Sequence, residues 1–266
     1  MPRAALLALL LCLLPAAAWA APLPSVFLEE LTWTEVRDAI KSGKTTLIVP
    51  IGGTEQSGPH IALGKHNARV HFMAGRVAAA LGDALVAPVL AYVPEGSTNP
   101  ATEHMRFPGT ISIPESTFEE ILIATGKSMR RHGFKDIVFV GDHGGYQRAM
   151  KRAAVTLNRD WAGGPVRAHA IEEYYTAMSS EYAKALAARG FAEEEIGTHA
   201  GLADTSLTLA IDPSLVRTEH LRGSNTREDG VSGDPERSST DLGKIGVDLV
   251  VKRTTDAIRA ARSAAN

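Results

Sequence analysis

Cysteine is almost missing: the 266 residues hold one, Cys12, inside an apolar N-terminal run. A disulfide framework, a thiolate nucleophile and a cysteine-ligated metal are therefore excluded for everything after that run. Long hydrophobic runs are missing too. The stretch from Ala4 to Leu14 falls well short of the roughly 20 apolar residues a membrane span needs, and no later segment comes closer. Neither sign of charge dominates; the formal net charge is −2 and no basic block occurs, so nucleic acid is not an expected partner. Hydrophobic residues make up 44% and charged residues 22%, enough of the first to fill a core and too few of the second for a disordered chain.

What is present begins with a leader. Arg3, the apolar run Ala4 to Leu14, Pro15 and the small-residue site Ala18-Trp19-Ala20 follow the layout of a secretory signal peptide. Residues 1–20 are read as that leader and the mature chain as 21–266. The protein is expected to be exported, to the periplasm or out of the cell, and to leave the membrane once the leader is removed. Leu11 ahead of Cys12 is not the small residue of a lipoprotein cleavage site.

Beyond the leader, short runs that are apolar on both faces alternate with helical patterns, the signature of a mainly parallel sheet covered by helices. Strands are expected at Thr45 to Ile51, Ala84 to Val93, Asp136 to Gly141 and Val166 to Ile171. Helices are expected at about Thr34 to Ser42, Ala68 to Leu81, Ser116 to His132, Gln147 to Arg159, Glu173 to Ala188, Ala200 to Ile211 and Asp241 to Arg262. Ser116 and Glu119 have the spacing of a capping box. Gly223 to Thr240, polar and rich in glycine and serine, is expected to be a lid or an interface loop. With no repeat and no break in composition, residues 21–266 are read as one α/β domain.

Ligands of open parallel sheets bind beyond the carboxyl ends of the strands, and the histidines collect there. His60 and His66 follow the first strand, His104 follows the second, His143 follows the DIVFV strand, and His199 opens the helix that carries Asp204. Five of the nine histidines thus fall in strand-end loops or at a helix start. Imidazoles and carboxylates gathered by glycine-rich loops are the donors a divalent metal needs, and glycine lets such loops turn tightly. The competing reading is of loop histidines that cap helices and satisfy the backbone.

The order of these pieces resembles the creatininase family of metal-dependent amidohydrolases. The matching segments are Leu31 to Trp33; Pro-x-Gly-x-x-Glu-Gln-x-Gly-Pro-His at Pro50 to His60; His-x-x-Phe-Pro-Gly-Thr at His104 to Thr110; Gly-x-His-Gly-Gly around His143; His-Ala-Gly with a following acid-Thr-Ser at His199 to Ser206; and Gly-Val-x-Gly-Asp-Pro at Gly230 to Pro235. The resemblance spans roughly residues 28 to 262. It implies a three-layer α/β/α domain, a homo-oligomer that is usually a hexamer, and cleavage of C–N bonds in small amides and cyclic amides.

Carried over residue by residue, the resemblance makes Glu55 and His143 metal ligands. It departs at Ser57, His66 and Gly145, where the family has a ligand histidine, a bridging aspartate and a further acid. A carboxylate can bridge two metals, whereas a neutral imidazole normally binds one. The expected centre is therefore Glu55, His66 and His143 around one divalent ion, zinc by ligand type with manganese or iron as alternatives, and with a position left for water. Asp204 matches a family acid and is expected to serve catalysis as a ligand or as a partner to one. His199 matches the family's general acid/base, which would protonate the leaving nitrogen after attack by metal-bound water. His60, His104 and Tyr146 are expected to bind substrate, and Lys65, Glu103 and Arg106 to be solvated charges. Glu195 stands where the family has a substrate-framing tryptophan, so the expected substrate is a small amide or lactam other than creatinine. Two further readings stay open: a family member that binds ligand or metal without turnover, suggested by Ser57 and Gly145, and an iron-dependent oxidoreductase or lyase using the same donors.

Overall fold

The structure is a computed structural model that describes residues 23–224 and 226–264; the expected leader at 1–20, Cys12 included, lies outside the described residues. Four parallel strands make one sheet in the order β2-β1-β3-β4, with β1 at Thr46–Ile51, β2 at Ala84–Val86, β3 at Asp136–Gly141 and β4 at Arg167–Ala170. Every residue of β1 is buried, as a strand covered on both faces must be. Alternation along the strands feeds two cores. Ile48, Val138 and Val140 point to the side covered by α2 (Lys65–Leu81), α5 (Glu173–Thr176), α6 (Tyr182–Ala187), α8 (Leu202–Ile211) and α9 (Thr240–Ala264). Leu47, Val49, Ile137 and Phe139 point to the side covered by α1 (Trp33–Lys41), α3 (Glu115–His132) and α4 (Gln147–Asp160). The result is a single three-layer α/β/α domain, as expected.

The fold departs from expectation in four places. The second strand stops at Val86 rather than Val93 because Pro88 carries no amide hydrogen for the ladder. The chain still runs beside β1, with the Leu90 amide on the Pro50 carbonyl and the Gly52 amide on the Leu90 carbonyl. The expected Glu173 to Ala188 helix is interrupted by a π turn at Ala177–Glu181, a form that recurs at functional sites. Ser116 and Glu119 form no capping box: Pro114 is the cap of α3, and the Glu119 carboxylate accepts from Arg152. The capping box is instead Thr32 with Glu35, at the start of α1. Finally, a short helix α7 (Glu193–Ile196) precedes His199 where no helix was expected.

Two residues of the loop expected to be a lid or an interface loop pack beside His199. Ser232 exchanges backbone hydrogen bonds with His199 at 2.8 and 3.2 Å, and Val231 is buried against Ile61 and Ala200. No described helix is long and apolar enough to cross a membrane.

Candidate metal centre

The loop leaving β1 carries Glu55 to the middle of the site. Gly53 lets it do so: its φ is +152°, and a Cβ at that position would collide with the Glu95 carboxylate. Glu55 is fully buried, and its two oxygens face different surroundings. Oε2 lies 3.3 Å from His104 Nε2 and 3.4 Å from His143 Nε2, and His143 Nδ1 lies 3.6 Å from Glu95 Oε2. One ligand atom from each of Glu55, Glu95, His104 and His143 falls within 4.8 Å of all the others. Among the described residues, Glu55 Oε2 and both oxygens of Glu95 are buried with no hydrogen-bond partner.

Buried carboxylate oxygens left in that condition cost free energy unless a cation satisfies them. Two carboxylates and two imidazoles are a suitable donor set for zinc, manganese or iron, so the residues fit a divalent ion. The ionisation behaviour agrees. Burial, and then the Glu55 charge beside it, push Glu95 up to about 10, which marks a place starved of positive charge. Burial takes His143 down to about 4, so its ring is neutral near pH 7, as a metal ligand must be.

The Oε1 side of Glu55 is already satisfied. His66 Nε2 lies 2.6 Å away, Lys65 Nζ 3.4 Å and His199 Nδ1 3.7 Å. Behind them stands a buried ion-pair network built on the first turns of α2. His66 Nδ1 meets Asp142 Oδ1 at 2.5 Å. Arg69 donates to the same Asp142 oxygen at 2.6 and 3.0 Å and to Asp204 Oδ1 at 2.8 Å, while Lys65 donates to Asp204 Oδ2 at 2.9 Å. Tyr174 donates its hydroxyl to Asp142 Oδ2 at 2.7 Å. Burial works against ionisation of both aspartates, yet Lys65 and Arg69 at Asp204, and Arg69 at Asp142, hold them below the usual carboxylate range. Burial likewise opposes the charge on Glu55, and His66 and Lys65 outweigh it.

These positions sort the expected site residues. Glu55 and His143 meet as expected, but the other ligand atoms grouped with them come from Glu95 and His104, and His66 stands outside that group on the Oε1 side. His199 borders the same carboxylate. Its Nε2 lies 3.0 Å from the Gln56 carbonyl and 3.2 Å from the Gln56 side-chain nitrogen, and burial with the Lys65 charge takes the ring down to about 3. Asp204 lines the cavity and also accepts the Ala200 amide at 2.9 Å. His60 and Tyr146, expected to bind substrate, are buried and do not line the cavity. His60 Nε2 donates to the Ala200 carbonyl at 3.0 Å, and the Tyr146 hydroxyl reaches the Ile51 and Gly52 carbonyls at 2.8 Å while accepting from the His143 amide. Both therefore brace loops that carry site residues. Lys65, expected in solvent, is completely buried.

Glu95 and Arg69 were missed by sequence reasoning. Glu95 has the position that signals a ligand, in a Pro-Glu-Gly turn past the carboxyl end of a strand. Arg69 lies one helical turn after Lys65 and beside Val70 and Met73, so it shares a face with residues that must be buried. The cavity at this site measures about 760 Å³. Lys65, His66, Glu95, His104, His143 and His199 line its polar side; Tyr175, Met178, Ala183, Ile196 and Leu207 form an apolar wall, and Glu103 and Glu115 also line it.

An α/β/α domain with a carboxylate–imidazole cluster at its strand ends suits a metal-dependent hydrolase. The creatininase family model, described as creatinine amidohydrolase, matches residues 29–258. The chain belongs to the creatininase family of metal-dependent amidohydrolases. It is 33% identical over 185 residues to a mycofactocin precursor peptide peptidase of Mycolicibacterium smegmatis, an alignment that takes in 68% of this chain and 63% of that one. The chain thus spans less than two thirds of that relative's length. To a creatinine amidohydrolase of Pseudomonas putida it is 26% identical over 259 residues, covering 88% of this chain and 96% of the other. A solved structure of creatininase in a manganese form superposes with a TM-score of 0.74 at 25% identity, covering 89% of this chain and 98% of that one.

Proposed function

We propose that the protein hydrolyses a C–N bond in a small amide or cyclic amide, with one divalent ion per chain held by Glu55, Glu95, His104 and His143. The observation that carries this reading is the unpartnered Glu55 Oε2, ringed by the donor atoms of the other three, with His199 beside the same carboxylate. When bound, such an ion supplies a Lewis acid for the substrate carbonyl and brings the pKa of a coordinated water to about 7. The donors suit zinc best, and manganese and iron are compatible.

The chain's own part is to position groups and to move protons. His199 is held at Nε2 by Gln56 and turns its Nδ1 toward the Glu55 carboxylate at the centre. From there it is placed to take a proton from the attacking water and hand it to the leaving nitrogen. Asp204, pinned by Lys65 and Arg69, holds the Ala200 amide and with it the backbone next to His199. A relative described as a precursor peptide peptidase makes a peptide amide a further candidate substrate. The reading also includes export to the periplasm or beyond and assembly as a homo-oligomer, a hexamer by family resemblance. A mature N-terminus near Ala21 in protein recovered from outside the cytoplasm, and its mass in solution, test those two points.

The catalytic claim is tested by assaying metal-loaded and chelated mature protein against amides, lactams and short peptides. Amine release that depends on metal, and that is lost in His199→Ala with the metal retained, is expected. Bound metal with no turnover of any of these substrates would overturn the hydrolase in favour of a family member that binds without catalysis.

A further inference from the structure

We infer that the Lys65 ammonium fills the place of a second cation, on the Oε1 side of Glu55, and thereby limits the centre to one divalent ion. The inference rests on the proposed ion at the Oε2 side. Lys65 Nζ lies between two carboxylates, 3.4 Å from Glu55 Oε1 and 2.9 Å from Asp204 Oδ2. Its whole side chain is buried, so the ammonium is held in place rather than free to swing into water. The groups around it, Glu55, Asp204, His66 and His199, are themselves metal-donor types. An ion placed among them would have to displace the ammonium or sit within a few ångströms of it, where like charges repel strongly in a poorly solvated site.

The pairing of the buried acids points the same way. Arg69 and Lys65 pair with Asp142 and Asp204, and His66 and Lys65 meet Glu55 on its Oε1 side. The unpartnered oxygens, Glu55 Oε2 and those of Glu95, all lie on the other side. Buried charges persist when they are paired in this way, and the pairing is completed by side chains on one side of Glu55 and left open on the other.

The test uses Mn²⁺ as probe on the mature protein, with stoichiometry from calorimetric titration and elemental analysis and with electron paramagnetic resonance to separate an isolated ion from a coupled pair. Wild type should take up one Mn²⁺ per chain and keep the spectrum of an isolated ion in excess metal. Lys65→Ala should take up two and show coupling, and Lys65→Arg should stay at one. Two coupled ions in wild type, or a Lys65→Ala protein with unaltered circular dichroism that still binds one, would overturn the inference. Should Lys65→Ala fail to fold, the wild-type stoichiometry and spectrum decide alone. Failure here is distinct from failure of the proposed function. One ion without amide turnover would sink the hydrolase and leave the Lys65 role intact, whereas turnover with two ions would do the reverse.

Discussion

The two oxygens of Glu55 belong to one carboxylate and live in opposite surroundings. Around Oε1, the buried acids are matched by Lys65 and Arg69 and tied in by Tyr174 and the Ala200 amide. Around Oε2, Glu95 and Glu55 present bare oxygens to two histidines. A buried polar network that is complete is framework; one left open is where a ligand belongs. The difference is visible in ionisation as well. Asp204 on the closed side is held below the usual carboxylate range by Lys65 and Arg69 despite burial, and Glu95 on the open side is pushed up to about 10 by burial and by Glu55.

That contrast can be broken most severely by chelation. Stripping the metal should abolish amide hydrolysis without unfolding the chain, and adding back zinc or manganese should restore it; full activity after verified metal removal would contradict the assignment. Next in size is His199→Ala, which should lower kcat by about 10²- to 10⁴-fold, the usual contribution of a proton-transfer residue, while leaving metal content unchanged by elemental analysis. Loss of the metal together with the rate would instead make His199 a ligand.

On the closed side the expected effects are on stability. Arg69→Met leaves Asp142 and Asp204 short of a buried cation and should destabilise the fold by about 3–5 kcal/mol in denaturant titration, the cost of breaking a buried pair from one side. A loss below about 1 kcal/mol, the range of exposed pairs, would mean that the network is solvated in solution. The smallest effect is the pH response. Because the folded-state pKa of Asp204 is depressed, its contribution is fully present above the unfolded aspartate value of about 3.9 and is lost as pH falls through the lower folded value. The Tm difference between wild type and Asp204→Asn should therefore be flat from neutral pH down to about 4 and shrink below it. A difference that shrinks instead as pH rises would reverse the sign of that linkage.

Much of the fold was legible because burial on both faces writes itself into sequence. β1 and β3 are continuous apolar runs, and the α2, α3 and α9 periodicities hold to within a few residues at their ends. Pro88 was visible too, and its missing amide explains why the second strand is short. The site was legible as a set of loops more than as a set of contacts. Spacing brought Glu55, His104, His143 and His199 to the strand ends, but it says nothing about which oxygen of Glu55 each ring approaches, and that is what separates His66 from His104. It also cannot tell a loop residue that faces the cavity from one that braces the loop from behind, which is the position of His60 and Tyr146. Glu95 is a single acid in an irregular stretch after an interrupted strand, with no second donor nearby in sequence to flag it. Lys65 and Arg69 were missed because the expected helix began at Ala68; α2 in fact begins at Lys65, which puts both on the buried face with Val70 and Met73.

The most direct measurement is anomalous diffraction from crystals of the mature protein grown with zinc or manganese. One peak per chain is expected, within coordination distance of Glu55 Oε2, Glu95, His104 and His143, with Lys65 still between Glu55 and Asp204. A peak on the Oε1 side bound by His66, with Glu95 uncoordinated, would contradict the assignment of the two sides and with it the centre proposed for this chain.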